Sequence, residues 1–188
     1  MRAPIVIILA AGKGERFLAS GGTTHKLDAR LGDRTVLAHV IQAVEAAGLA
    51  WQLIRPQGGT RGMGESISLG IKATPEASGW LILPADLPFI QPVSLQRVAE
   101  GLRKKPLVVP QYCQRQGHPV GFSQQFKPSL LALAGDVGAR DIVKSARRDG
   151  KVLDLPLDDD GIVQDIDTLA DLDRAARRLK MHKPLLSG

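Results

Sequence analysis

The 188-residue sequence has one cysteine, Cys113, four His, and an aromatic complement of four Phe, two Trp and one Tyr. A lone cysteine closes no internal disulfide and builds no cysteine-based zinc site, so a reducing cytoplasm is the expected compartment. Cys113 itself reads as a small buried or half-buried side chain. No apolar run approaches the roughly 18 residues of a membrane span. The stretch Ile5 to Ala11 leads into glycines and charges rather than a signal-peptide cleavage site, so it reads as a buried strand. Lys+Arg number 25 against 19 Asp+Glu, but much of the excess lies in a basic tail from about residue 174, in Arg174, Arg177, Arg178, Lys180 and Lys183. With few aromatics to stack bases, neither nucleic acid nor membrane is the expected partner. The charge suits small polyanionic ligands.

What is present is the composition of an ordinary folded protein, 44% hydrophobic with 20 Gly and 12 Pro. No repeat or linker interrupts it, which predicts a single domain over residues 1–188. Ile5-Val6-Ile7-Ile8-Leu9 is a continuous β-rich run of the kind covered on both faces in parallel sheets. The glycine-rich stretch from Ala10 to Phe17 reads as a loop. Val36, Leu37, Val40, Ile41 and Val44 recur with helical spacing up to Gly48. Trp51 to Ile54 and Trp80 to Leu83 read as strands, separated by a polar loop, Gln57 to Gly64, and a small-residue helix from Ser66 to Ala73. Pro92 opens a helix burying Leu95, Val98, Ala99 and Leu102. Leu107 to Val109 is a further strand. Helices follow near Pro128–Leu133 and Ala139–Arg147, then strands at Val152 to Leu155 and Ile162 to Ile166. Thr168 with Asp171 resembles a capping box for a last helix carrying Leu169, Leu172, Ala176 and Leu179. This alternation predicts an α/β fold whose ligands collect beyond the C-terminal ends of the strands. That rule puts the loop after Leu9 and the loop after Leu83 on one rim.

The first loop offers glycines that let backbone amides approach an anion, with Lys13 and Arg16 as cations. It is neither a dinucleotide fingerprint, which needs a third glycine where Phe17 stands, nor a P-loop, which needs Gly-Lys-Ser/Thr. Asp86, braced by Pro84 and Pro88, is a hard carboxylate of the type that shares Mg²⁺ with phosphates. Asp165 and Asp167 alternate around Ile166 and, on a strand, would face the same way. Cations, amides and carboxylates together suit phosphoryl or nucleotidyl transfer, which requires positioning and charge neutralisation. An attacking phosphate needs no general base, in keeping with the lack of a Ser-His-Asp or Cys-His constellation.

Leu9-Ala10-Ala11-Gly12-x-Gly14-x-Arg16-Phe17, followed by Lys26-Leu27, is similar to the signature loop of nucleotidyltransferases with the nucleotide-diphospho-sugar-transferase, glycosyltransferase-A-like fold. Pro84-Ala85-Asp86-Leu87-Pro88 looks like that group's metal motif. Gly117-His118-Pro119-Val120-Gly121-Phe122, Gly135-Asp136-x-Gly138-Ala139-Arg140 and Asp165-Ile166-Asp167-Thr168-x-x-Asp171-Leu172 resemble the molybdenum cofactor cytidylyltransferase branch, grouped with the molybdopterin guanylyltransferases. The likeness runs from Ile5 to about Leu172.

It implies a three-layer α/β sandwich with a mostly parallel, Rossmann-like sheet. It also implies transfer of a nucleoside monophosphate, CMP from CTP favoured by Ala11, to the terminal phosphate of molybdopterin with release of pyrophosphate. Carried over by position, Leu9, Ala10, Ala11, Gly12 and Gly14 line the nucleotide, with Gly64 and Ser66 closing over base and ribose. Arg16 and Lys26 hold phosphates and, with Asp86, form the catalytic set. Asp86 and Asp167 bind Mg²⁺. Gly117, His118, Pro119, Arg140 and Asp165 face the acceptor. The implied partners are the NTP, molybdopterin, and a molybdoenzyme or its maturation chaperone. The open alternatives are GTP or another phosphorylated acceptor, or a carrier of the cofactor without catalysis. One departure stands out: residues 18–25 separate Arg16 from Lys26, where relatives have a shorter loop. The insertion reads either as a flexible lid or as room for a different acceptor.

Overall fold

The computed structural model describes residues 3–181. In chain order these form β1 (Ile5–Leu9), α1 (Glu15–Ala19), β2 (Arg30–Leu31), β3 (Arg34–Thr35), α2 (Val36–Ala46), β4 (Trp51–Ile54), α3 (Met63–Ala73) and β5 (Gly79–Pro84). There follow α4 (Pro92–Gly101), β6 (Leu107–Tyr112), β7 (Arg115–Gln116), β8 (Val120–Ser123), α5 (Lys127–Leu131), α6 (Arg140–Arg148), β9 (Val152–Pro156) and α7 (Leu169–Met181). Among the described residues, a seven-stranded sheet runs β4-β1-β5-β8-β6-β7, with β9 also paired to β6. The β1–β4, β1–β5 and β6–β9 pairs are parallel, and β7 and β8 run against their neighbours. The sheet is thus mostly parallel, and β2 and β3 form a separate small hairpin.

Strand alternation divides the core into two layers. On one face Val6, Ile8, Leu81, Leu83 and Val108 meet Val40 and Val44 of α2, Leu95 and Val98 of α4, and Ala175 of α7. On the other, Ile7, Trp80, Ile82, Leu107 and Val109 meet Ile67 and Ile71 of α3, Leu130 of α5 and Ala146 of α6. Every second residue of an unbroken apolar strand serves one layer, which is why β1 needs no polar position. The result is the three-layer sandwich expected from the sequence. Among the described residues, no helix is long and apolar enough to cross a membrane.

The register decides where the chemistry lies. Leu9 pairs with Pro84 at the ends of adjacent parallel strands, and the Ala85 amide donates to the Leu9 carbonyl at 3.0 Å. Two loops far apart in sequence therefore leave the sheet side by side.

Three local expectations are corrected. Glu15–Ala19 is helical, opened by Gly14 in the left-handed region (φ +65°). Ile162 to Ile166 is not a strand. It begins in a 3₁₀ turn, and Ile166 makes one isolated bond, its amide donating to the Asp86 carbonyl at 2.9 Å. Cys113 is exposed. With Gln114 it turns the β6–β7 hairpin at φ 47° and 68°, the mirror-image turn that matches strand twist. Lys183 of the basic tail lies outside the described residues, and Arg174, Arg177, Arg178 and Lys180 are part of α7.

One buried carboxylate ties α4 to the segment leading into the Asp165–Asp167 stretch. Asp159, 3% exposed, accepts from the Gln91 amide (3.0 Å), the Ser94 hydroxyl (2.7 Å) and the Gly161 amide (2.8 Å). Asp159→Ala strands those donors and is expected to cost about 3 kcal/mol in urea unfolding. A loss below about 0.5 kcal/mol would show that water replaces the carboxylate without penalty.

Candidate functional site

The loop after β1 and the loop after β5 border a cleft of about 650 Å³, closed on its far side by Thr60–Met63 and Asp136. Leu9, Ala10, Ala11, Gly12, Gly14, Arg16, Lys26, Ser66, Asp86 and Asp167 all line it. Positions up to 158 residues apart in sequence number thus face one space.

Lys26 is the electrostatic hub. Its Nζ lies 3.0 Å from Asp86 Oδ2 and 3.9 Å from Asp167 Oδ1, and its side chain is only 14% exposed. Arg16, far more exposed, donates to Asp167 Oδ2 at 3.0 Å. Two carboxylates therefore converge on one cation position. They are hard oxygen donors, a set that fits a divalent ion completing its shell with phosphate oxygens and water. Among the described residues no group of three or more His, Cys, Asp or Glu gathers in metal-ligand geometry, so such an ion would rest on this pair.

The positions read as acceptor-facing divide. Gly117 packs on Ile162. His118 donates its backbone amide to the Ile162 carbonyl at 3.0 Å. Burial lowers the His118 pKa, opposed by the nearby negative charge of Asp86, and its Nδ1 is buried without a hydrogen-bond partner among the described residues. Asp165 lines a second groove of about 350 Å³ with Arg115, Arg174 and Arg178. Burial first, then the Asp86 and Asp167 charges, raise its carboxyl above the ordinary range, against a backbone hydrogen bond and Lys26. Arg178 in that groove is held by Asp160 at 2.8 and 3.0 Å and lies 4.4 Å over the Phe89 ring. Arg140, at the start of α6, lines neither space. Gly64 does not line the cleft either. It lies under the carbonyls of Ala134 and Val137, where a Cβ would not fit.

Several cleft residues were not read from the sequence as site residues: His25, Thr60, Arg61, Met63 and Asp136. Thr60 and Ser66 share a hydroxyl–hydroxyl bond of 2.7 Å, and the Arg61 amide donates to Glu65 Oε2 at 2.8 Å. Asp136 reaches the cleft because its backbone packs directly on Gly62, whose φ of +143° and missing Cβ permit the approach. The glycines at 62, 64 and 135 were the available signal for that contact.

A family model described as the MobA-like NTP transferase domain matches residues 6–151. The purine catabolism protein PucB of Bacillus subtilis (strain 168) is 30% identical over 207 residues, covering 95% of this chain and all of PucB. A 26-residue match, 77% identical, links 14% of the chain to 19% of the putative LysR family substrate binding domain-containing protein YagP of Escherichia coli (strain K12). The chain thus spans about a fifth of YagP. Among solved structures, a nucleotidyl transferase from Methanothermobacter thermautotroptrophicus superposes with a TM-score of 0.81 at 18% identity, over 96% of this chain and 99% of that one. Rv0371c from Mycobacterium tuberculosis H37Rv, in complex with manganese, gives 0.73 at 22% identity over 94% and 98%. The molybdopterin-guanine dinucleotide biosynthesis protein A from Archaeoglobus fulgidus gives 0.62 at 14% identity over 94% and 99%.

Proposed function

The chain belongs to the MobA-like NTP transferase family and is a nucleotidyltransferase; from that premise we propose that it transfers CMP from CTP to the terminal phosphate of molybdopterin. The observation that carries this reading is the convergence of Asp86 and Asp167 on Lys26 beside the glycine loop, in one cleft. The backbone of Ala10 to Gly14 lines the triphosphate, and Arg16 and Lys26 offset its charge. Asp86 and Asp167 would hold Mg²⁺, which would supply Lewis-acid neutralisation of the phosphates and of the departing pyrophosphate. A divalent requirement is supported by the manganese complex of Rv0371c.

An oxygen of the acceptor's terminal phosphate attacks the α-phosphorus. The bond from that phosphorus to the β-phosphate bridging oxygen breaks, and pyrophosphate leaves. The attacking oxygen is already ionised, so no side chain has to take a proton. This fits His118, whose pKa burial lowers against the opposing charge of Asp86. The acceptor's phosphate approaches from the side of His118 and Asp165, the two groups outside the cleft lining whose ionisation feels the Asp86 charge. The molybdopterin reading is supported by the motif resemblance and by the likeness to the Archaeoglobus protein.

The test is incubation with each NTP, Mg²⁺ and molybdopterin, followed by mass analysis. The expected result is a cytidylyl adduct with one pyrophosphate per product. Adduct formation from GTP alone would reassign the donor, and no pyrophosphate from any NTP would overturn the reaction. Ala11, which lines the cleft, gives a sharper check on the base. Ala11→Gly is expected to shift the CTP-to-GTP ratio of kcat/KM about ten-fold toward GTP, the scale of one methyl group in a fitted pocket. An unchanged ratio would remove Ala11 from base selection.

A further inference from the structure

Residues 18–25 form neither an open lid nor an empty spacer. Phe17, just before them, is 1% exposed, and Gly22 lies so close to its ring that a Cβ there would collide. The Ser20 hydroxyl donates to the Phe17 carbonyl at 2.8 Å and accepts from the Leu169 amide at 2.8 Å, at the first residue of α7. At the other end His25 Nε2 stands 2.6 Å from the Gly12 carbonyl, and His25 Nδ1 accepts from the Leu27 amide at 3.2 Å. A carbonyl oxygen only accepts, so Nε2 carries the hydrogen, and Nδ1 presents its lone pair to Leu27. Both ring nitrogens are engaged within the protein, which leaves His25 no free nitrogen for acid–base work.

We propose that His25 is the positioning residue of the glycine loop, fixing the Gly12–Lys13 peptide so that its carbonyl stays turned away from the bound triphosphate. In a planar trans peptide the C=O and the next N–H point in opposite directions. Anchoring the Gly12 oxygen therefore also sets the direction of the Lys13 N–H. The same ring caps the turn that begins with Lys26, so one side chain aligns an anion-binding loop with the cation beside it. The inserted segment is a strut between α7 and this loop. The inference rests on the reading that the loop holds a nucleotide triphosphate.

Two variants separate the two ring nitrogens. Gln places its amide nitrogen near the Nε2 position and keeps the donor to Gly12; Asn places its amide oxygen near Nδ1 and keeps only the cap on Leu27. MgCTP and MgGTP are titrated into wild type, His25→Gln and His25→Asn, with kcat, KM and thermal melting measured for each. For the nucleotide the wild type binds, His25→Asn is expected to raise Kd and KM about three- to ten-fold, the scale of one lost hydrogen bond, with kcat and melting near wild type. His25→Gln is expected to restore Kd to within about two-fold. Unchanged binding in His25→Asn, or equal weakening in both variants in step with lost stability, would overturn the proposal while leaving the nucleotide reading intact. A wild type that binds neither nucleotide would overturn both.

Discussion

Replacing Asp86 by Asn is expected to cut pyrophosphate release about a thousand-fold, the several kcal/mol of charge stabilisation that a metal-bound phosphate loses with its carboxylate. Asn keeps the shape and removes the charge. The backbone bonds at the rim, Ile166 amide to Asp86 carbonyl and Ala85 amide to Leu9 carbonyl, survive the change, and Lys26, which loses its charged partner Asp86, keeps Asp167 within 3.9 Å. The melting temperature should therefore stay within a few degrees of wild type, which makes the assay a test of chemistry rather than folding. Turnover within a factor of about three of wild type would take Asp86 out of the reaction.

Lys26→Met is expected to act in two opposite directions. Turnover should fall about a hundred-fold, because a phosphate cation is lost from a largely enclosed position. Binding of Mn²⁺ in the absence of nucleotide should tighten about ten-fold, because Nζ no longer stands between Asp86 and Asp167. Ten-fold corresponds to about 1.4 kcal/mol, the scale of one charge-assisted hydrogen bond no longer competing with the ion. Titration of Mn²⁺ followed by electron paramagnetic resonance reads this directly. Weaker or unchanged Mn²⁺ binding would mean that the ion and the lysine do not share a position.

The fold was largely legible because its first strands are short, apolar-rich runs with Pro or Gly within a few residues of their ends. Ile5–Leu9, Trp51–Ile54 and Trp80–Leu83 all fall on observed strands. The rule that ligands collect at strand C-termini placed the glycine loop and Asp86 together, and the Leu9–Pro84 register realises that placement. Ile162–Ile166 misled because apolar and polar residues alternate there with no neighbouring strand to pair with. Its alternation serves a loop that buries Ile162 and Ile166, with Asp165 and Asp167 lining different spaces. β8 was hidden in a run broken by Gly117, Pro119 and Gly121. His25 could not be read as a site residue because its role depends on a contact with Gly12, thirteen residues away, made through a loop with no hydrophobic period. Arg140 was placed by motif alone, and at the start of α6 it lines neither cleft.

The most direct measurement is anomalous diffraction from crystals of the protein soaked with Mn²⁺ and a non-hydrolysable CTP analogue. The account predicts one Mn²⁺ peak between Asp86 and Asp167, with the triphosphate along Ala10 to Gly14 and Lys26 turned to its oxygens. Manganese away from both carboxylates, or a triphosphate that avoids the glycine loop, would contradict it.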